Sequence, residues 1–102
     1  MPARNESGAL EPGPNGDYYC DANQVGGTFC PEFDIMEANK YSWRTTAHTC
    51  DDPKLGHYIN CDKKGQGHDK DDWGKDKFGP GSKINTNEPI HVQIKYCIKR
   101  GG

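Results

Sequence analysis

The sequence predicts a mainly β domain with long loops, stapled by disulfides, and three observations carry that reading. Apolar side chains recur at every second position from Ile90 through Val92, Ile94 and Tyr96 to Ile98, which is the period of a half-buried strand. No stretch sustains the 3.6-residue period of a long amphipathic helix. Five cysteines stand in a chain of 102 residues in which Leu, Ile, Val and Phe together number only 13, well below the roughly 20% typical of a self-sufficient core. Such a chain needs cross-links or a larger assembly to supply the missing stability.

Charge and hydropathy exclude several classes. With 13 Lys+Arg against 15 Asp+Glu, the formal charge is -2, so neither a nucleic-acid surface nor a polybasic membrane anchor is expected, and plain disorder is disfavoured. No apolar run approaches the roughly 20 residues of a membrane span. The opening MPARNESGALEPGPNG lacks the apolar stretch of a secretory signal. Disulfides would nonetheless place the chain in an extracellular or other oxidising compartment.

Residues 1–17 read as a flexible N-terminal arm, because they are rich in Pro and Gly and, beyond Met1, carry Leu10 as their one large apolar side chain. Residues 18–102 read as the domain. Within it, Cys20, Cys30 and Cys50 punctuate an aromatic-containing segment in which Phe33 and Ile35 alternate with Glu32 and Asp34. Residues 62–77, DKKGQGHDKDDWGKDK, are dominated by charge and glycine and read as a solvated linker loop. FGPGS at 78–82 is a turn signal leading into a strand, and 90–98 is predicted to be that strand's well-formed successor.

The chemistry-bearing feature is Glu32, Asp34 and Glu37, spaced E-x-D-x-x-E. On a regular strand Glu32 and Asp34 share a face while Glu37 points away. A one-residue bulge between Asp34 and Glu37 restores the parity and sets all three carboxyls on one surface, with Phe33 and Ile35 turned toward a core. Two extended Glu side chains so placed reach a carboxyl separation of about 5–5.5 Å, that of a retaining glycosidase. Crowded carboxyls also separate their protonation states, as such chemistry requires. The alternative local structure is an acidic helix start, with Pro31 opening a first turn that faces the helix dipole.

The flanks extend the pattern. CPEFDIMEANKYSWRTTAHTC, with Tyr19-Cys20-Asp21 upstream and Phe78-Gly79-Pro80-Gly81-Ser82 downstream, resembles the catalytic strand and following loop of glycoside hydrolase family 7, the cellobiohydrolases and endoglucanases that cut β-1,4-glucans. Glu-Phe-Asp-Ile-Met-Glu-Ala-Asn at 32–39 is similar to that family's E-M-D-I-W-E-A-N, and Ala47-His48-Thr49-Cys50 to its P-H-P-C. The resemblance covers about residues 18–98. It implies a partial concanavalin-like jelly-roll or β-sandwich, with Glu32 as nucleophile, Glu37 as general acid/base and Asp34 tuning the nucleophile. His48 and Trp43 are the substrate-binding residues it suggests. Met36 departs from the family's Trp and Ala47 from its Pro, and the chain is about a quarter of the usual family length.

The same resemblance implies disulfides Cys20–Cys30 and Cys50–Cys61, leaving Cys97 unpaired. His48, His57, His68 and His91 show no C-x-x-C-type metal spacing, so neither metal nor other cofactor is expected. Two functions follow. One is a retaining β-1,4-glucan hydrolase acting by double displacement, incomplete as an isolated chain and therefore expected to cleave soluble β-glucan barely above buffer. The other is a non-catalytic hydrolase-derived module that binds glucan or serves as a structural subunit, with a larger protein assembly covering 90–98.

Overall fold

The computed structural model describes residues 1–99, so the last three residues of the predicted domain lie outside the described residues. The acidic segment is a strand: β1 spans Glu32–Ala38 and pairs antiparallel with β2, Trp43–His48. The hairpin turns through residues 39–42, where the Asn39 carboxamide oxygen accepts the Tyr41 N–H at 2.8 Å and the Asn39 N–H donates to the Ser42 carbonyl at 2.9 Å. A short polar side chain that captures the backbone two residues on favours such a turn over a continued strand. The helix alternative for Pro31 to Ala38 is thereby excluded.

Between Asp34 and Glu37 the register shifts: Asp34 faces Thr46 while Glu37 faces Arg44. Ile35 and Met36 on β1 oppose Thr45 alone on β2, which is the predicted bulge. Thr45 braces it, donating its hydroxyl to the Ile35 carbonyl at 2.8 Å where the extra residue interrupts the ladder.

Residues 62–77 do more than link. Gln66–Asp69 forms β3, the third strand of the sheet, pairing antiparallel with β2 so that Thr46 faces Gly67 and Thr45 faces His68. An exposed edge strand of Gln, Gly, His and Asp has no apolar alternation to reveal it. Gly67 is required there, because a Cβ would overlap the Thr45 carbonyl oxygen. A 3-10 helix, Lys70–Trp73, follows with reciprocal caps: Asp69 accepts from the Asp71 N–H, and the Asp72 carboxylate accepts the Asp69 N–H at 2.9 Å.

FGPGS does lead into a strand. Phe78–Gly79, β4, pairs in parallel with Ile84–Asn85, β5. Between them Pro80 precedes Gly81, whose φ is +72°, and the Ser82 N–H donates to the Gly79 carbonyl at 3.1 Å, the residue order of a type II turn.

The core is thin, as the composition requires. Among the described residues Ala3, Ala22, Cys30, Cys61 and Phe78 are its buried apolar residues, and no large side chain is fully buried. Around Phe78, Trp43 and Trp73 complete an aromatic cluster with centroids 5.8–6.0 Å apart in tilted and edge-on contacts. Disulfides Cys20–Cys30 and Cys50–Cys61 are formed, and Cys97 is free and exposed. Residues 1–17 are tied by hydrogen bonds more than by apolar burial. Ala3 N–H donates to the Tyr18 carbonyl and Glu11 N–H to the Ala3 carbonyl, at 2.8 and 2.9 Å.

Two expectations fail for one reason. Residues 90–98 make no ladder with any described residue, and exposure climbs along the segment from 37% at Ile90 to 89% at Ile98. Phe33, expected in a core, is 64% exposed. A strand needs a partner edge and a core needs a second layer, and the 99 described residues provide neither at this place. The segment instead lies opposite Phe33, Ile35, Trp43 and Thr45 across a cavity of about 800 Å³. The molecule measures 52 × 41 × 21 Å with a radius of gyration of 17.5 Å, against about 13 Å for a compact domain of this length. It is an open slab. No helix among the described residues is long and apolar enough to cross a membrane.

Candidate active site

Because directly paired strand residues share a face, the register puts Glu32 beside His48, Asp34 beside Thr46, and Glu37 beside Arg44, all on one surface of the β1–β2 hairpin. The bulge is what brings Glu37 round. One carboxylate oxygen each from Glu32 and Asp34 and one His48 nitrogen lie within 4.8 Å of one another.

A chain of contacts connects them. His48 is buried, with Nε2 3.0 Å from Asp34 Oδ2 and Nδ1 2.8 Å from the Asp62 carbonyl oxygen. A carbonyl can only accept, so Nδ1 carries a proton. Glu32 Oε2 accepts the Ala22 N–H at 3.1 Å. The Asp62 carbonyl raises the His48 pKa above its ordinary 6.5, and Asp34 and Glu32 add to the effect against the opposing cost of burial. Glu32 is raised above 4.5, chiefly by sharing a proton with Asp34. Loss of hydration and the Asp34 charge push the same way, while the Ala22 N–H and His48 pull it down. Two carboxyls this close bind a proton between them more tightly than either does alone.

The surroundings are built to hold these positions. Cys50 and Cys61 face each other as an antiparallel bridge, and the Asp62 N–H donates to the Thr49 carbonyl at 2.8 Å. On the other flank Asp21 is buried and gathers the 20–30 loop. Its carboxylate accepts the Asn23 and Val25 N–H groups at 3.1 and 3.0 Å and the Tyr19 hydroxyl at 2.8 Å. That loop, closed by Cys20–Cys30, delivers the Ala22 N–H to Glu32.

A sequence model for Glycosyl hydrolase family 7 matches residues 13–101, which takes in the hairpin, both disulfides and the carboxyl cluster. The chain belongs to glycosyl hydrolase family 7. Among curated proteins it is similar to the endo-beta-1,4-glucanase celB of Aspergillus oryzae and the probable endo-beta-1,4-glucanase celB of Aspergillus flavus, in each case 35% identical over 103 residues. Those alignments cover 79% of this chain and 25% of each relative, so the chain spans about a quarter of their length. No solved structure matches it.

In this family 7 chain the sequence-named residues divide. Glu32, Asp34 and His48 come together, and Glu37 shares their face but is exposed. His48 is not free to meet a sugar, since both ring nitrogens are engaged, by Asp34 and Asp62. Trp43 faces the wrong way: it pairs with Ala38 on the opposite surface, bonds Thr45 Oγ1 through its indole N–H at 3.2 Å, and packs on Trp73 and Phe78. Strand parity from the carboxylates, counted through β2, foretells this placement. Asp62 and Ala22 escaped the sequence reading because they contribute backbone groups.

Proposed function

We propose that the chain carries the carboxylate machinery of a retaining β-1,4-glucan hydrolase, with Glu32 as nucleophile, Glu37 as general acid/base and Asp34 orienting Glu32. The observation that carries this reading is the bulged strand that gathers these carboxyls with His48 on one face. In the first step a Glu32 oxygen bonds to the anomeric carbon while the glycosidic C–O bond breaks and Glu37 gives its proton to the departing oxygen. In the second, Glu37 takes a proton from water, whose oxygen attacks the same carbon and frees the Glu32 carboxylate. Asp34 and His48 let Glu32 lose its proton to a hydrogen-bonded neighbour rather than to bulk water. The residues need no metal or organic cofactor for this chemistry. Two disulfides suit an extracellular setting, and β-glucan is the proposed substrate.

The open face favours a second role beside the first. Exposed Phe33 and the unpaired 90–98 segment suit a module that works inside a larger assembly, as a glucan-binding or structural subunit. A 2-deoxy-2-fluoro-β-cellobioside with a good leaving group tests the catalytic reading. The fluorine slows both steps while the good leaving group speeds the first, so the ester accumulates. Mass mapping is expected to find the sugar on Glu32. Attachment to another residue, or no attachment after prolonged incubation, defeats the assignment.

A further inference from the structure

The loop that follows the Cys50–Cys61 bridge encloses the side of His48 that faces away from Asp34. Asp62 does this twice over. Its carbonyl oxygen takes the Nδ1 proton at 2.8 Å, and its carboxylate Oδ1 accepts the Lys64 and Gly65 N–H groups at 3.2 and 3.0 Å, which curls the chain back toward the ring. Gly65 then sits against the imidazole. Its φ is +75°, and a Cβ there would overlap Thr46 Cγ2 and stand 2.7 Å from His48 Cε1 and 2.8 Å from Nδ1. No L side chain fits that space or adopts that backbone freely. The start of the loop is pinned by the disulfide and by the Asp62 N–H on Thr49.

The two sides of His48 are chemically unequal. The carbonyl on the Nδ1 side can never donate a proton, whereas a carboxyl on the Nε2 side can accept one or donate one according to its own state. The groups that face the ring from the packed elements are Asp34 and Glu32 from β1, Thr46 beside it on β2, and the Asp62 carbonyl and Gly65 from the loop.

We propose that residues 61–65 are a positioning element that keeps His48 protonated on Nδ1, so that the proton it exchanges is always the one on Nε2 facing Asp34. Asp62 and Gly65 are then positioning residues, acting on the carboxylate pair through the imidazole. Without the clamp a histidine is free to turn its ring or carry its proton on the other nitrogen, and Asp34 loses a fixed partner. This rests on reading Glu32 as the nucleophile and Asp34 as the carboxyl that orients it, but its test reads the imidazole alone and stays valid if no glucan is ever cleaved.

The test is nitrogen-15 NMR of the oxidised, histidine-labelled full chain, followed above the titration of His48. In the wild type Nδ1 is expected to keep the shift of a protonated nitrogen while Nε2 moves to that of an unprotonated one. Asp62→Ala removes the acceptor that curls the loop, and the pattern is expected to shift toward the Nε2-protonated form of a free imidazole. Asp62→Asn retains an Oδ1 acceptor and is expected to restore the wild-type pattern. Gly65→Ala should act as Asp62→Ala does, and if that variant does not fold the Asp62 pair still decides. An Nε2-protonated His48 in the wild type, or an unchanged pattern in Asp62→Ala, overturns the proposal.

Discussion

At the residue scale the site is a competition for protons, and its sign can be worked out. Glu32 and His48 both have folded-state pKa values above their ordinary ones, 4.5 and 6.5. Each therefore binds its proton more tightly folded than unfolded. The stability this supplies is fully present below the ordinary value and is lost as pH rises through the raised one. The chain is thus expected to unfold at a lower temperature at about pH 8 than at about pH 5, and His48→Gln should flatten that difference. Thermal melts followed by circular dichroism check it, and equal slopes in both proteins would remove His48 from the account. Glu32, Asp34 and Glu37 were legible in the sequence because their odd spacing is awkward on a regular strand and sensible on a bulged one. The groups that hold them were not, because the Asp62 carbonyl and the Ala22 N–H are backbone atoms that any residue type supplies.

At the element scale the bulge is what makes three carboxyls into one site, and Thr45 is its brace. Thr45→Val keeps the shape and removes the hydroxyl that donates to the Ile35 carbonyl and accepts the Trp43 indole N–H. The expected cost is about 2 kcal/mol, two hydrogen bonds at about 1 each, measured as a shift of the urea midpoint at constant slope. No shift would mean that water satisfies Ile35 and the bulge needs no brace. β1 and its bulge could be anticipated because alternation and the parity break agreed with one another, whereas the Asn39-led turn into β2 came only with the structure. β3 could not, because an edge strand whose close approach demands Gly67, and which leaves Gln66 and His68 in water, has the composition of a loop. Trp43 shows the limit of the resemblance, which suggested substrate binding there, while direct pairing with Ala38 puts Trp43 on the surface opposite the carboxyls.

At the scale of the whole molecule, sequence alternation in 90–98 suggested a half-buried strand, yet the segment forms no ladder with any described residue and all of Val92 to Ile98, polar and apolar alike, lines the cavity beside Phe33 and Ile35. Alternation says nothing about what covers a face. Amide hydrogens of 92–98 are accordingly expected to exchange near the unprotected rate in the isolated chain, while those of β2 are retained orders of magnitude longer. Protection in 92–98 equal to that of β2 would reveal a partner strand contributed by another copy. The same openness bears on catalysis, since a sugar ring held by one face loses most of the roughly 7–11 kcal/mol that alignment contributes. The central claim, a competent nucleophile on a site without a full cleft, is tested most directly by hydrolysis of a dinitrophenyl β-cellobioside, whose leaving group departs without a proton. The account predicts slow turnover by the wild type that Glu32→Gln abolishes and Glu37→Gln leaves nearly unchanged in the first step. A residual rate equal in the wild type and Glu32→Gln would contradict it.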